Sequence, residues 1–194
     1  RSLSAVSPES TFKVAFIGSH GVGKTTLCFG LAGRLKTRDL SVEVVHEVAR
    51  RCPLPINEAT TANAQAWILH TQIAEELLAA ERYSVVICDR AVIDNYAYLK
   101  LAHGADPRLE RVVEDWVSSY DVLLVVPVVD EPRADGLRAT NPTFQKDVDR
   151  CLRDLLSQMQ APYSELASDS RGDWLDEAER AVLEVLRPPQ LELL

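Results

Sequence analysis

Nine residues, Gly18-Ser19-His20-Gly21-Val22-Gly23-Lys24-Thr25-Thr26, restrict this chain more than any other stretch of it. The pattern G-x-x-x-x-G-K-[ST] puts glycines where the backbone must turn sharply, so that successive N–H groups aim at one oxyanion. Lys24 can then reach the β- and γ-phosphates of a nucleotide, and the Thr25 hydroxyl can ligate Mg2+. The flanks agree with this. Residues 12–17 (FKVAFI) read as a buried parallel strand, and residues 25–37 as a helix with Leu27, Leu31 and Leu35 at helical spacing. Strand, loop and helix start together aim a helix dipole and unpaired amides at a phosphate. The expectation is a nucleoside triphosphate held by all nine residues, with Lys24 catalytic and Thr25 on the metal.

The rest of the chain alternates apolar strand-like runs with helical patterns, the signature of a parallel sheet covered by helices. Strands are expected at 41–46, 85–88 and 122–126, with a weak fifth at 163–167. Helices are expected at 61–82 (Ala66, Leu69, Ile73 and Leu77 on its apolar face), from about 91 to Gly104, and from Pro107 to about 120. A further helix carries Val148, Cys151, Leu152, Leu155, Leu156 and Met159, and the last covers about 175–186. The predicted fold is α/β: three layers, a parallel sheet of about five strands flanked by helices, and an arginine-bearing lid. One domain over 12–186 is expected, with loose ends at 1–11 and 187–194.

Bulk chemistry narrows the partners. The net charge of −8 weighs against a nucleic-acid partner, whose affinity rests on neutralising phosphates. Four cysteines are scattered without a C-x-x-C pair; Cys28 and Cys88 sit in apolar patterns and read as reduced core thiols. No apolar run reaches membrane-spanning length and the first residues lack a signal peptide's apolar segment, so a cytoplasmic protein without a membrane partner is expected. A homodimer is compatible with all of this.

Ligands of an open parallel sheet gather at the carboxyl ends of its strands. The second strand ends at Glu47 and the third at Asp89-Arg90. Asp89 stands where a phosphoryl-transfer enzyme keeps the acid that holds Mg2+ directly or through water. Glu47 is placed to take a proton from an acceptor hydroxyl; with a phosphate acceptor it would bind sugar or base groups instead. The polar stretch 130–141 carries Arg133 and Arg138, suited to close over a γ-phosphate and exclude water. Gln65 and Gln72 share a helix face that either reaches an acceptor or meets solvent. Trp67, Trp116 and Trp174 read as packing anchors.

The set GSHGVGKTT (18–26), EVAR (47–50), DRAVIDNYAY (89–98) and DGLR (135–138) resembles the P-loop kinases grouped around the nicotinamide-riboside kinase domain of bacterial NAD-biosynthesis regulators. More broadly it is similar to nucleoside and nucleoside-monophosphate kinases, including thymidylate kinases, which carry an Asp-Arg pair after the third strand. The resemblance spans about 12–186. It implies ATP and Mg2+ at Gly21, Gly23, Lys24, Thr25 and Thr26, a lid carrying Arg138, and acceptor contacts from Glu47, Arg50, Asp89, Arg90 and Asp94.

The expected activity is transfer of the γ-phosphoryl group of ATP to a small acceptor, a nucleoside or nucleotide with nicotinamide riboside among the options. A polynucleotide 5′-hydroxyl kinase and a regulatory ATPase without an acceptor are the alternatives. A GTPase switch is disfavoured, because the base-reading Asn-Lys-x-Asp is absent.

Overall fold

A computed structural model of the chain describes residues 11–56, 60–129, 142–167 and 169–186. Its strands are β1 (Phe12–Ile17), β2 (Val42–Val45), β3 (Val85–Asp89), β4 (Val122–Val125) and β5 (Ser164–Glu165). Its α-helices are α1 (Lys24–Lys36), α2 (Ala62–Ala80), α3 (Val92–His103), α4 (Pro107–Val117), α5 (Pro142–Gln158) and α6 (Trp174–Val185). The strands form one sheet in the order β2-β3-β1-β4-β5, and every pairing is parallel. The chain thus winds outward to β2, returns through β3 and crosses β1 to continue at β4. The loop leaving β1 lies where that winding changes direction, which is where open sheets of this kind take ligands.

Pleating sends successive side chains to opposite faces of the sheet. Val14 and Phe16, with Val85, Ile87 and Leu124, meet Leu27, Leu31 and Leu35 of α1 and Trp174, Ala178 and Val182 of α6. Ala15 and Ile17, with Val86, Cys88, Leu123 and Val125, meet Leu69, Tyr96, Val113, Leu152 and Leu155 from α2 to α5. Each leucine buried in this way is worth about 1.5–3 kcal/mol. The result is the expected three-layer arrangement, with Cys28 and Cys88 as buried free thiols. Among the described residues no helix is long and apolar enough to cross a membrane.

Three local expectations change. The fifth strand shrinks from 163–167 to Ser164–Glu165, whose exposed side chains offer no apolar alternation; Leu166 still donates its N–H to the Val125 carbonyl while its side chain packs in the core. Residues 50–55, which read from the sequence as a loop, are preceded and entered by a turn of 3-10 helix, Val48–Arg51. On α2, Leu77 is 54% exposed, and the inward face instead carries Gln65, Ile68, Leu69, Gln72, Glu76 and Ala79.

The inward polar groups of α2 have a specific cause. Lys13 of β1, buried on the α2 side, places its Nζ 3.0 Å from Glu76 Oε2 and donates to Ser119 Oγ. Tyr120 Oη, Trp116 Nε1 and Gln72 Nε2 also donate to the Glu76 carboxylate, at 2.6–2.8 Å. A buried charge is tolerable only with such partners. Trp116 is therefore a hydrogen-bond donor as well as an anchor, and α2 is pinned to the central strand.

Candidate functional site

Ile17 hands the chain to Gly18, whose φ of 138° lies outside the range of ordinary L residues. A Cβ there would sit 2.8 Å from the Val126 carbonyl oxygen, so only glycine passes so close to β4. Gly23, with φ 100°, is the N-cap of α1, and no acidic side chain occupies the first turn of that helix. The positive end of the helix dipole is thereby left open to an anion. Ser19, His20, Val22 and Lys24 are buried, whereas Gly21 and Thr26 are exposed.

Lys24 folds back along the loop and donates to the carbonyls of Gly18 (2.8 Å) and Ser19 (2.5 Å). Burial lowers its pKa from 10.5 to about 7; Arg90 pushes the same way, while Asp94, Asp89 and Glu47 oppose it. The Thr25 hydroxyl donates to Asp89 Oδ2 at 2.5 Å, which joins the start of α1 to the end of β3. The two residues expected at a metal are therefore side by side.

At the end of β2, both carboxylate oxygens of Glu47 are engaged. Arg90 Nε donates to Oε1 at 2.8 Å and Arg50 Nε to Oε2 at 2.9 Å. Arg90 is buried, its guanidinium 5.0 Å from the Tyr98 ring centre, and its backbone has a φ of 92°. That strained conformation lets β3 turn abruptly into α3 and is held by hydrogen bonds at both ends of the residue. The Arg90 N–H donates to Phe16, and Gln72 Nε2 donates to the Arg90 carbonyl. Among the described residues, Arg90 Nη1 and Gln72 Oε1 have no hydrogen-bond partner.

Not every expected residue lies where a ligand would meet it first. Asp94 is 1% exposed and accepts from the backbone N–H of Gly18 (2.8 Å) and of Ala91 (2.9 Å). It ties the phosphate loop to the start of α3, and burial raises its pKa against the pull of Lys24 and Arg90. Gln65 is turned to Thr60, 2.8 Å away, and neither it nor Gln72 meets solvent. His20 Nδ1 lies 3.1 Å from the Tyr98 hydroxyl, and its carbonyl accepts from Gln145 Nε2. Arg133 and Arg138 lie outside the described residues.

Sequence reasoning missed Gln145, Glu76 and Arg171. Arg171 brings its Nη2 within 3.4 Å of where a Cβ on Gly23 would stand. Lys13 inside an apolar strand and Gln72 and Glu76 on one helix face were the signals for the Glu76 cluster. Nothing in the linear pattern marks Gln145.

A family model described as an AAA domain matches residues 13–176. The thymidylate kinase of Polaromonas sp. is 27% identical over 130 residues, and that of Thermomicrobium roseum 32% identical over 132. The matches take in 61% and 59% of this chain; they span 58% and 63% of those enzymes, under two thirds of their length. Among solved structures, thymidylate kinase from Ehrlichia chaffeensis aligns with a TM-score of 0.64 at 18% identity, covering 92% of this chain and 100% of that one. Deoxyadenosine kinase from M. mycoides with bound dATP aligns with a TM-score of 0.57 at 14% identity, covering 87% and 97%. At such identities the two structures speak for the fold alone.

Proposed function

We propose that this chain, which belongs to the AAA-domain family, is an ATP-dependent kinase that passes the γ-phosphoryl group to a nucleoside or a nucleoside monophosphate. The observation that carries the reading is the meeting of Thr25 with Asp89 beside Lys24, with the Arg-bracketed Glu47 close to the same cation. A donor site alone would serve any P-loop ATPase. A carboxylate held by two guanidiniums beside it is a group for a second substrate. The names of the two sequence relatives, both thymidylate kinases, favour the nucleoside and nucleoside-monophosphate part of the resemblance over its nicotinamide-riboside part.

A hydroxyl and a carboxylate oxygen 2.5 Å apart are the hard donors that Mg2+ takes, alongside phosphate oxygens and water. Thr25 and Asp89 would hold the ion, which supplies charge compensation on the β- and γ-phosphate oxygens when bound. The loop amides and the Lys24 ammonium fix the terminal phosphates. With a nucleoside acceptor, Glu47 accepts the proton of the attacking hydroxyl as that oxygen bonds to the γ-phosphorus and the bond to the bridging oxygen breaks, releasing ADP; a monophosphate acceptor attacks through its own phosphate oxygen, and Glu47 then binds sugar or base groups. Arg90 and Arg50 hold Glu47 in place, and Arg133 and Arg138 are proposed to offset the charge on the transferring group.

Coupled ADP release, screened over nucleosides and nucleoside monophosphates with Mg2+-ATP, tests the reading. At least one acceptor class is expected to raise turnover well above background hydrolysis. Hydrolysis indifferent to every acceptor would turn the reading towards a regulatory ATPase.

A further inference from the structure

We infer that Gln145 is a positioning residue for the phosphate loop: its side-chain amide sets the peptide between His20 and Gly21 so that the Gly21 N–H faces the bound anion. This rests on the nucleotide-binding reading above and adds a residue that no part of the loop motif contains.

A peptide group is planar and trans, so a carbonyl and the N–H that follows it point in opposite directions. The carbonyls of Gly18 and Ser19 both point at Lys24 Nζ. The His20 carbonyl does not join them. It accepts from Gln145 Nε2 at 2.9 Å, across from the first turn of α5. The peptide after His20 therefore has its carbonyl towards α5, and the N–H of Gly21 is turned away from α5. Gly21 has a φ of 78°, a conformation in which glycine rotates readily, so the covalent chain alone does not hold this peptide. The bond from Gln145 does.

Two further observations make Gln145 a built contact. Its side chain is buried at 2% exposure, where an amide without a partner would be costly, and it is directed at a backbone atom of the loop. The neighbouring Phe144 ring stacks on His20, with centroids 6.1 Å apart and planes at 28°, and Tyr98 approaches the same imidazole at 3.1 Å. On the other flank Asp94 holds the Gly18 N–H from α3. The loop is thus gripped from α3 at its entry and from α5 at its middle. An amide fixed before the ligand arrives costs no reorganisation on binding.

Gln145→Met keeps the length and apolar packing of the side chain and removes the donor. Mg2+-ADP affinity by calorimetry is expected to fall about 3- to 10-fold, the cost of one lost neutral hydrogen bond. The Gly21 amide resonance, which moves on addition of Mg2+-ADP to the wild type, is expected to move less, in protein that remains folded at the assay temperature with a somewhat lower thermal midpoint. Gln145→Glu, which turns a carboxylate on the His20 carbonyl, is expected to bind more weakly still. Wild-type affinity and an unaltered Gly21 shift in the Met variant would overturn the role of Gln145. So would a fall in thermal midpoint with both of those values intact. Wild-type protein that failed to bind Mg2+-ADP would instead sink the kinase reading itself.

Discussion

The two halves of the proposed site, one for a phosphate donor and one for an acceptor, are built from different materials. The donor half is one continuous stretch, residues 18–26, and it offers mainly backbone: amides, two inward carbonyls held by Lys24, and a helix start. The proposed acceptor half is side chains, Glu47, Arg50, Arg90 and Gln72, brought together from the end of β2, a 3-10 turn, the end of β3 and the middle of α2. Backbone recognition fits any polyphosphate and requires local shape. Side-chain recognition distinguishes acceptors and requires the whole fold to deliver charges to one place.

The comparison is broken most severely by Glu47→Gln. With a hydroxyl acceptor, kcat is expected to fall roughly 10²–10⁴-fold while affinity for Mg2+-ATP is kept. Because the change leaves Arg90 buried without its counter-charge, the measurement needs a folded fraction established by circular dichroism. An unchanged rate would remove Glu47 from the proton path. Lys24→Ala attacks the donor half; a loss of roughly 10²–10³-fold or more in transfer is expected, with a cooperative unfolding transition preserved. Undiminished turnover would refute the donor assignment. Gly18→Ala separates shape from charge: the Cβ clash with Val126 and the φ of 138° are expected to cost about 1–3 kcal/mol in denaturant unfolding. A neutral result would mean that the loop has slack the geometry denies.

The smallest effect is a proton. The free protein's Lys24 has a pKa of about 7, below the unfolded value of 10.5, so its burial opposes folding most fully below pH 7 and stability rises as pH climbs from there towards 10.5. Nucleotide phosphates favour the charged amine. Binding at pH 8 is therefore expected to take up about one proton, and binding at pH 6 almost none, read from calorimetry in buffers of different ionisation heat. Equal uptake at both pH values would place the titrating group elsewhere.

The same division explains what could be read from the residues in order. The donor loop was legible because its geometry depends on neighbours in the chain, and β1 and α1 around it carry clean periods. Glu47 and Arg90 were legible as strand-end groups, but their ion pair was not, since 43 positions separate them. The face of α2 was misread at Leu77 because an apolar stripe is the usual sign of burial, whereas Lys13 drew Glu76 and Gln72 inward. Asp94 was expected at the acceptor; its bond to Ala91 is local to the start of α3, but its contact with Gly18 emerges only when α3 is laid beside the loop. Gln145 carries no local mark, since its partner is a main-chain oxygen 125 residues earlier.

β1 sits at the centre of the sheet, and everything that shapes the loop behind it comes later in the chain: β3, Asp94, Val126 and finally Gln145. During synthesis on the ribosome the motif emerges early but has nothing to lean on. A nascent chain stalled before α5 would contain every residue of the loop and still lack the contact at His20, so nucleotide capture should ripen in steps as β3, β4 and α5 leave the exit tunnel. Parallel pairing between distant segments folds slowly for the same reason.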